Sequence, residues 1–570
     1  MAVCEDGARS ATAADVLSHR GAVALTLAAT ALFAVELGLP AFFDNEARYA
    51  EVAREMLVRG DWISPHLDFT LFLNKPPLTF WLAALVFRIA GPTEWARLVS
   101  VAAAGMALYA TCRLGARLWG ERAGVVAGIA LATMLGFVLE ARTLRPDMIV
   151  TASVAVALWC WREAVERRGA NGWLVGLWVA LGIGVLAKGM VPLVLAGAPI
   201  AVGTVHEAGW QGLRRLRPGL GIAVLGAIVV PWHVVVALRH PGFAWDYVVN
   251  QHLLFFFDRK LPRDSDGDSL AFFWAAFAGR AAPWMLLAPL TLSEAVRGAV
   301  GAGGARARGT LLVWLWIAGV LGFFSLTSAR LEHYSLPALP AVALLAGRVW
   351  QRARAGGLPA RAWAWLAGVG VLAAVAGAVG IVAGRALLAR TYWILQAPGF
   401  LALAVPAAAA LATAGVLLAT VAVRRRADGL IAALALATVP LVVIVLRAEV
   451  EAEPLFSWRP LAHALVAAVP ADAEIVFEAP EEYQLVGGLA YYTERRITLL
   501  APPGFVPPTY LAGHMDDMFL GRETFARRWR AGERLAFVSD PQQRRETPDG
   551  LVPAPFHVIG RFGDRWVLAR

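Results

Sequence analysis

The residues of this sequence best suited to chemistry are a few acidic side chains beside long apolar runs. Asp44 and Glu46 lie two residues apart, Arg48 follows them, and Asp147 stands in a later polar stretch. Paired carboxylates are typical of a general base or a metal site. Acidic residues are equally favoured in the first turn of a helix. The pattern therefore indicates either acid–base chemistry or helix starts.

Lysine is rare in this chain and occurs at unusual positions. Of the 52 Lys and Arg residues only Lys75, Lys188 and Lys260 are lysine. Lys75 precedes two prolines, which fix the backbone beside it, and Lys188 stands between two apolar runs. A cation near hydrocarbon is costly and usually marks a function or an anionic partner, although it can also snorkel to the headgroups. Lys75 and Lys188 therefore predict anion binding at a membrane surface.

Two later segments add polar groups. The stretch SARLEHYSLPALP carries Arg330 and Tyr334, and the loop 239–269 carries His252. An interfacial tyrosine is often only a belt residue, and a lone histidine is either a metal ligand or, more often, a structural hydrogen-bonding group. No HExxH, CxxC or P-loop motif is present, nor a GxGxxG followed by an acidic residue. A nucleotide donor in the cytoplasm is therefore not indicated.

The composition predicts an α-helical polytopic membrane protein. Hydrophobic residues make up 58% of the 570 residues and charged residues only 16%, and the mean hydropathy is +0.59. Repeated apolar runs match the length of about 20 residues that a bilayer core requires. The sequence predicts thirteen spans, over 21–41, 94–117, 122–140, 146–162, 172–188, 190–206, 218–238, 270–292, 309–328, 334–350, 362–386, 398–423 and 429–446.

Arginine-rich loops set the predicted orientation. With residues 1–20 as a cytoplasmic tail, six successive inner loops are basic, which also explains the net charge of +10 without nucleic acid. The apolar stretch 77–90 is too short for a span, so 42–93 becomes one long periplasmic loop with surface helices. The transmembrane domain covers 21–446, and the polar tail 447–570 predicts a small periplasmic α/β domain.

This threading places the acids and the cations on the periplasmic face of the membrane. Cations there can hold a lipid phosphate, while carboxylates handle an acceptor hydroxyl. The combination favours glycosyl transfer from a polyprenyl-phosphate sugar.

Several motifs carry a resemblance to a known family. They are DNEARYAEVAREMLVRGDW, NKPPLTFW, RPD, LAKG, PW with NQHLLFF, and ARLEHYSLPALP, in this order. Over about residues 20–350 the chain resembles the bacterial 4-amino-4-deoxy-L-arabinose transferases, C-type glycosyltransferases like the protein O-mannosyltransferases. The resemblance implies thirteen spans, a periplasmic site and an undecaprenyl-phosphate sugar donor.

The resemblance also assigns roles to residues. The acidic motif falls at Asp44 and Glu46, and the acid of the second loop at Asp147. The donor-phosphate and pocket residues are Lys75, Lys188 and Tyr334.

Two departures from the family pattern concern the acids and the metal. The arabinose transferases have consecutive Asp-Glu where this chain has Asn45-Glu46, with Asp44 one place earlier, so the essential carboxylate stays open. In those enzymes the residue before the lysine is a glutamate, which the resemblance implies helps to bind zinc. Here that residue is Asn74. His252 is then the one ligand left for the divalent metal that the resemblance implies.

The predicted mechanism is an inverting single displacement. Asp44 or Glu46 positions or deprotonates the acceptor, Asp147 orients the acceptor or the cations, and Arg48, Lys75, Lys188, Arg330 and Tyr334 bind the donor phosphate. The acceptor is an envelope lipid such as lipid A, or a glycan. The alternatives are protein O-mannosyl transfer, a lipid-linked sugar transporter or flippase, and a non-catalytic envelope assembly protein.

Overall fold

A computed structural model describes residues 13–570, apart from 168–169, 263–266, 391–397, 481–482, 503, 512–517, 542 and 544–546. Of residues 13–18, Asp44 and Pro398 it describes the backbone only. Most of the predicted cytoplasmic tail, including Cys4, lies outside the described residues. The other two cysteines, Cys112 and Cys160, are buried and free.

The described chain is mostly helical up to residue 468. Its helices are α1 (Ala13–Phe33), α2 (Asp44–Arg59), α3 (Leu78–Ala90), α4 (Leu98–Trp119), α5 (Glu121–Ala132), α6 (Leu135–Ala141), α7 (Pro146–Glu166), α8 (Asn171–Lys188), α9 (Val191–Ala208), α10 (Pro218–Arg239), α11 (Phe243–Trp245), α12 (Leu270–Arg280), α13 (Leu292–Ala299), α14 (Gly304–Ser325), α15 (Leu339–Arg354), α16 (Ala360–Leu388), α17 (Pro398–Val423), α18 (Ala427–Phe456), α19 (Arg459–Ala468), α20 (Val486–Thr493) and α21 (Arg522–Arg530). The strands are β1 (His66–Leu67), β2 (Thr70–Leu71), β3 (Glu474–Glu478), β4 (Ile497–Leu500), β5 (Phe519–Leu520), β6 (Leu535–Val538), β7 (His557–Phe562) and β8 (Arg565–Ala569).

Nine helices within the described residues are long and apolar enough to cross a membrane, and two bent helix pairs raise the number to eleven. The chain is therefore a multi-pass membrane protein. The predicted span 122–140 corresponds to one of these bent pairs, in which α5 and α6 meet at 69°. The predicted span 270–292 corresponds to the other pair, where the bend is 102°. Pro283 lies at this break and has no amide hydrogen to continue the helix.

The segment between α1 and α4 contains α2, the β1–β2 hairpin and the 13-residue helix α3. The sequence predicts surface helices in this segment, but α2 is largely buried in the structure. Ala50, Val52 and Ala53 are buried, and so are Glu51 and Glu55 on the charged face. Helix α20 and the hairpin pack on α2 and cover that face.

Glu55 makes the stability of this segment depend on pH. Burial and the neighbouring Glu51 raise its pKa to about 9, while both of its carboxylate oxygens lie 2.9–3.0 Å from the amide of Phe69. Asp68 and Arg54 are the other charged groups that act on it or on Glu51. The folded protein therefore keeps a proton that the unfolded chain releases near pH 4.5, so stability falls as the pH rises from there towards 9.

We expect the Glu55→Gln protein to be the more stable one at pH 8.5, and its advantage over wild type to shrink by pH 6. The glutamine amide mimics the protonated acid and does not titrate. The substitution therefore removes the contribution of Glu55 to the pH dependence of stability. Thermal unfolding in detergent at the two pH values measures this, with exposed Asp549→Asn as the control. Equal pH slopes for wild type and Glu55→Gln would show that Glu55 is ionised in the fold.

The C-terminal segment forms a mixed α/β unit after α18. Its six strands have the order β5-β4-β3-β6-β8-β7. The first four strands in this order are parallel, and β8 and β7 are antiparallel to their neighbours. Strands β3, β4, β6 and β8 lie in the short apolar runs AEIVFEA, RRITLL, RLAFVSD and RWVLAR, and α21 is the segment RETFARRWR. Helix α18 continues to Phe456, past the predicted boundary at residue 447.

Candidate functional site

A cavity of about 100 Å³ lies where the α2–α3 segment meets the ends of α7 and α8. It is lined by Asn45, Arg48, Tyr49, Phe72, Asn74, Lys75, Arg145, Asp147, Lys188, Phe255, Lys260, Ala329, Leu331, His333, Tyr334 and Gln484. We call it the lysine cavity, because all three lysines of the chain line it. A second cavity of about 60 Å³ shares Lys75, Lys188 and Tyr334 with it and extends to His252.

The charge of the lysine cavity is strongly positive. Arg48 and Arg145 join the three lysines in the lining. Asp147 is the one carboxylate among the described lining residues. Such a surplus of cations in a half-enclosed site favours an anionic ligand, and a phosphate satisfies several N–H donors at once.

The ends of two antiparallel helices place Asp147 against Lys188. Asp147 lies in the first turn of α7 after Pro146, and Lys188 is the last residue of α8. Each charge is favoured by the dipole of its own helix. The Nζ atom of Lys188 lies 2.5 Å from the Oδ1 atom of Asp147 and 4.1 Å from the centre of the Tyr334 ring. Asp147 and Tyr334 therefore hold Lys188 in one orientation at the cavity wall.

His252 supports the turn that follows Lys188. Its Nε2 atom accepts a hydrogen bond of 3.3 Å from the amide of Met190, and its Nδ1 atom lies 2.5 Å from the carbonyl oxygen of Tyr247. Gly189 in this turn has φ +85°, and a Cβ atom there would lie 2.5 Å from Nε2 of His252. Burial, together with the charge of Lys75, lowers the pKa of His252, so the ring is neutral and fits both contacts.

These contacts do not fit a divalent metal at His252. Both of its ring nitrogens already face backbone groups. Asn74, at the position of the implied zinc-binding glutamate, accepts a hydrogen bond from Tyr510 instead. No group of three or more His, Cys, Asp or Glu side chains that could hold a metal occurs within the described residues.

The segment around Lys75 is attached to the C-terminal unit. The hydroxyl of Tyr510 donates a hydrogen bond of 2.7 Å to Oδ1 of Asn74 and accepts one of 3.2 Å from the amide of Leu73. Tyr510 and Asn74 are both buried. Lys75 is thus flanked by this buried anchor on one side and by Pro76 on the other, which restricts its backbone.

Arg48 also lines the cavity and is held from two sides. Its Nη2 atom donates to Oδ1 of Asn45 at 2.8 Å, and its Nη1 atom donates to Oε1 of Gln484 at 2.5 Å. The predicted substrate-binding residues Arg48, Lys75, Lys188 and Tyr334 are therefore together in one cavity with Asp147.

Glu46 does not line the lysine cavity but lines a separate small cavity with Arg97. Its carboxylate accepts hydrogen bonds from Arg97 at 2.7 and 2.9 Å and from the amide of Leu144 at 2.7 Å. Burial would raise the pKa of Glu46, but Arg97 and the amides lower it, so the carboxylate stays charged. The side chain of Asp44 lies outside the described part of the structure.

Arg330 stands beside the cavity without lining it. Its guanidinium donates to the carbonyl oxygens of Phe324 at 3.2 Å and Asp268 at 2.8 Å. These bonds stabilise the loop before α15, which carries His333 and Tyr334 into the cavity.

The sequence did not mark every residue of the cavity. Lys260 could have been predicted as a cavity residue, since it is the third of only three lysines in the chain. Arg145 and His333 stand next to predicted residues. Gln484 carried no signal, because nothing in a single sequence links residue 484 to residue 48.

The chain matches known proteins over much of its length. The family model described as dolichyl-phosphate-mannose-protein mannosyltransferase matches residues 74–234. The undecaprenyl phosphate-alpha-4-amino-4-deoxy-L-arabinose arabinosyl transferase 1 of Pseudomonas fluorescens is 29% identical over 67% of each chain. The corresponding transferase of Pseudomonas aeruginosa PAO1 is 31% identical over 55% of this chain and 56% of its own length.

A solved structure matches almost the whole chain. The crystal structure of ArnT from Cupriavidus metallidurans bound to undecaprenyl phosphate is 22% identical and covers 98% of both chains with a TM-score of 0.74. This match shows that the two proteins share a fold, including the C-terminal unit. Together with the sequence matches it confirms the resemblance that the motifs carry, to the 4-amino-4-deoxy-L-arabinose transferases among the C-type glycosyltransferases.

Proposed function

We propose that this protein transfers a sugar from an undecaprenyl phosphate donor to an acceptor in the bacterial envelope. The observation that carries the proposal is the convergence of all three lysines on one cavity with Arg48 and Arg145. Undecaprenyl phosphate is an anion that fits such a cavity. It is part of the names of the aligned transferases and is bound in the solved structure of the relative.

The proposed reaction is a single displacement. An acceptor oxygen attacks the anomeric carbon, the bond from that carbon to the phosphate oxygen breaks, and undecaprenyl phosphate leaves. Lys75 and Lys188 stabilise the charge that develops on the leaving phosphate. Asp147 keeps Lys188 in place. Asp44 is the first residue of α2, next to Asn45 in the cavity wall. We assign Asp44 the role of accepting the proton from the acceptor hydroxyl. We assign Glu46 a structural role.

The proposed topology has thirteen spans. The two bent pairs and the nine long helices account for eleven spans, and α1 and α15 are the other two. With the basic loops in the cytoplasm, the lysine cavity and the C-terminal unit face the periplasm of the inner membrane. The short helix α3 then stays on the periplasmic side, as its 13 residues favour.

Purified protein is expected to bind undecaprenyl phosphate at least about tenfold more tightly than undecaprenol, because each phosphate contact with a cation adds affinity that the neutral alcohol lacks. Quenching of tryptophan fluorescence in detergent measures both affinities. With undecaprenyl phosphate-linked 4-amino-4-deoxy-L-arabinose or mannose, mass spectrometry should detect sugar on an extracted envelope lipid or glycan.

The Lys188→Ala variant serves as the site control in both assays and should lose the preference for the phosphate. Equal affinity of the wild type for the phosphate and the alcohol would contradict the proposed donor. Sugar on a protein hydroxyl instead of a lipid would support the second candidate, protein glycosylation, which the family model over residues 74–234 favours.

A further inference from the structure

The C-terminal unit contributes a side chain to the lysine cavity. Gln484 lies in the short 3₁₀ helix Tyr483–Leu485, just before α20, and lines the cavity together with residues far away in sequence. It is only 5% exposed. A polar side chain buried to this degree normally has its hydrogen-bonding groups satisfied.

The orientation of the Gln484 amide follows from its partner. Arg48 can only donate hydrogen bonds, so the atom 2.5 Å from its Nη1 is the carbonyl oxygen Oε1. The Nε2 group therefore points away from Arg48. No described residue accepts a hydrogen bond from it, so with respect to the described part of the chain its two N–H donors are available to a ligand in the cavity.

The packing of α20 against α2 fixes this side chain in place. Gly487 lies against the backbone of Arg48, and a Cβ atom there would come within 2.7 Å of the Arg48 Cα. The close contact keeps Gln484 next to Arg48. A donor fixed beside this helix contact is oriented before a ligand arrives, which favours recognition of one ligand geometry.

We propose that Gln484 is a specificity residue that donates a hydrogen bond to a hydroxyl oxygen of the transferred sugar. This inference rests on the proposed function and extends it to the sugar. The five cations of the cavity suit the phosphate, whereas a neutral amide donor suits an uncharged hydroxyl. A site built to bind a hydroxyl discriminates strongly against ligands that lack one, because its own donor is then left unpaired.

The test compares donor lipid with and without a sugar. The affinities of undecaprenyl phosphate and of undecaprenyl phosphate-mannose or -4-amino-4-deoxy-L-arabinose, whichever the wild type consumes, are measured for wild type, Gln484→Met and Arg48→Met. We expect Gln484→Met to bind undecaprenyl phosphate within about threefold of wild type, since Asn45 still holds Arg48. It should bind the sugar-bearing donor about tenfold more weakly, in line with one lost hydrogen bond.

Arg48→Met should weaken the binding of both lipids. The exposed Gln543 of the same unit supplies the matched control, Gln543→Met. If Gln484→Met binds both lipids like the wild type, or weakens both equally, Gln484 does not contact the sugar. If the wild type binds neither lipid, the proposed function itself fails, and this outcome is distinct from the others.

Discussion

Replacing Lys75 with alanine is expected to lower kcat/KM for sugar transfer by roughly 10²–10³-fold, the effect of removing one donor that stabilises charge developing in a transition state. Lys75 lines both the lysine cavity and the smaller cavity next to it. Its backbone is restricted by Pro76 and by the anchored Asn74. Lys75 is the only cation of the described lining in the stretch 72–77 between β2 and α3, so a neighbour cannot easily replace its charge.

The measurement is the initial rate of transfer by purified protein in liposomes, supplied with the undecaprenyl phosphate-linked sugar that the wild type consumes. Arg88→Ala is the control, because it removes an exposed cation of α3 outside the cavity. Arg88→Ala should keep nearly full activity. Lys75→Arg restores the charge in a different shape and should recover part of the rate. A folded Lys75→Ala protein with wild-type kcat/KM would rule out the phosphate role.

The sequence predicted the helices well because membrane spans follow from one strong signal, the length of an apolar run. It did not show the breaks inside two of these spans, which depend on tertiary contacts. The break between α5 and α6 falls at Thr133 and Met134, where no proline marks it. The adjoining Gly136 packs on Arg280, and a Cβ there would lie 2.5 Å from the Arg280 side chain. This contact joins residues 144 positions apart, so no local pattern reports it.

Only part of the lining of the lysine cavity could be predicted from the sequence, for a similar reason. Lys75 and Lys188 were recognisable because a cation in apolar sequence is unusual by itself. Glu46 looked equally suitable for chemistry, since its type and its neighbour Asp44 resemble a catalytic pair. Its actual partner, Arg97, lies 51 residues later, and only the folded chain shows that the carboxylate is already occupied.

Breaking this buried pair should strongly destabilise the fold. Arg97 and Glu46 are 4% and 2% exposed, and their side chains are 2.7 Å apart. Arg97→Met leaves a buried carboxylate without its counter-charge, which typically costs about 3–5 kcal/mol. The guanidinium also donates to the carbonyl oxygens of Leu37 and Ala41, at 3.1 and 2.9 Å, so the turn into α2 should loosen as well.

The double variant Glu46→Leu/Arg97→Met separates charge pairing from catalysis. Replacing both partners with apolar groups removes the unpaired charge, so it should recover part of the stability lost in Arg97→Met. The thermal midpoint in detergent measures this recovery, and transfer assays on the folded fraction measure activity. If Glu46 only fixes the Leu144 loop ahead of Asp147, the folded double variant keeps transfer within about tenfold of wild type. A well-folded double variant without activity would instead make Glu46 the catalytic carboxylate, and Asp44 would then lose the role proposed for it.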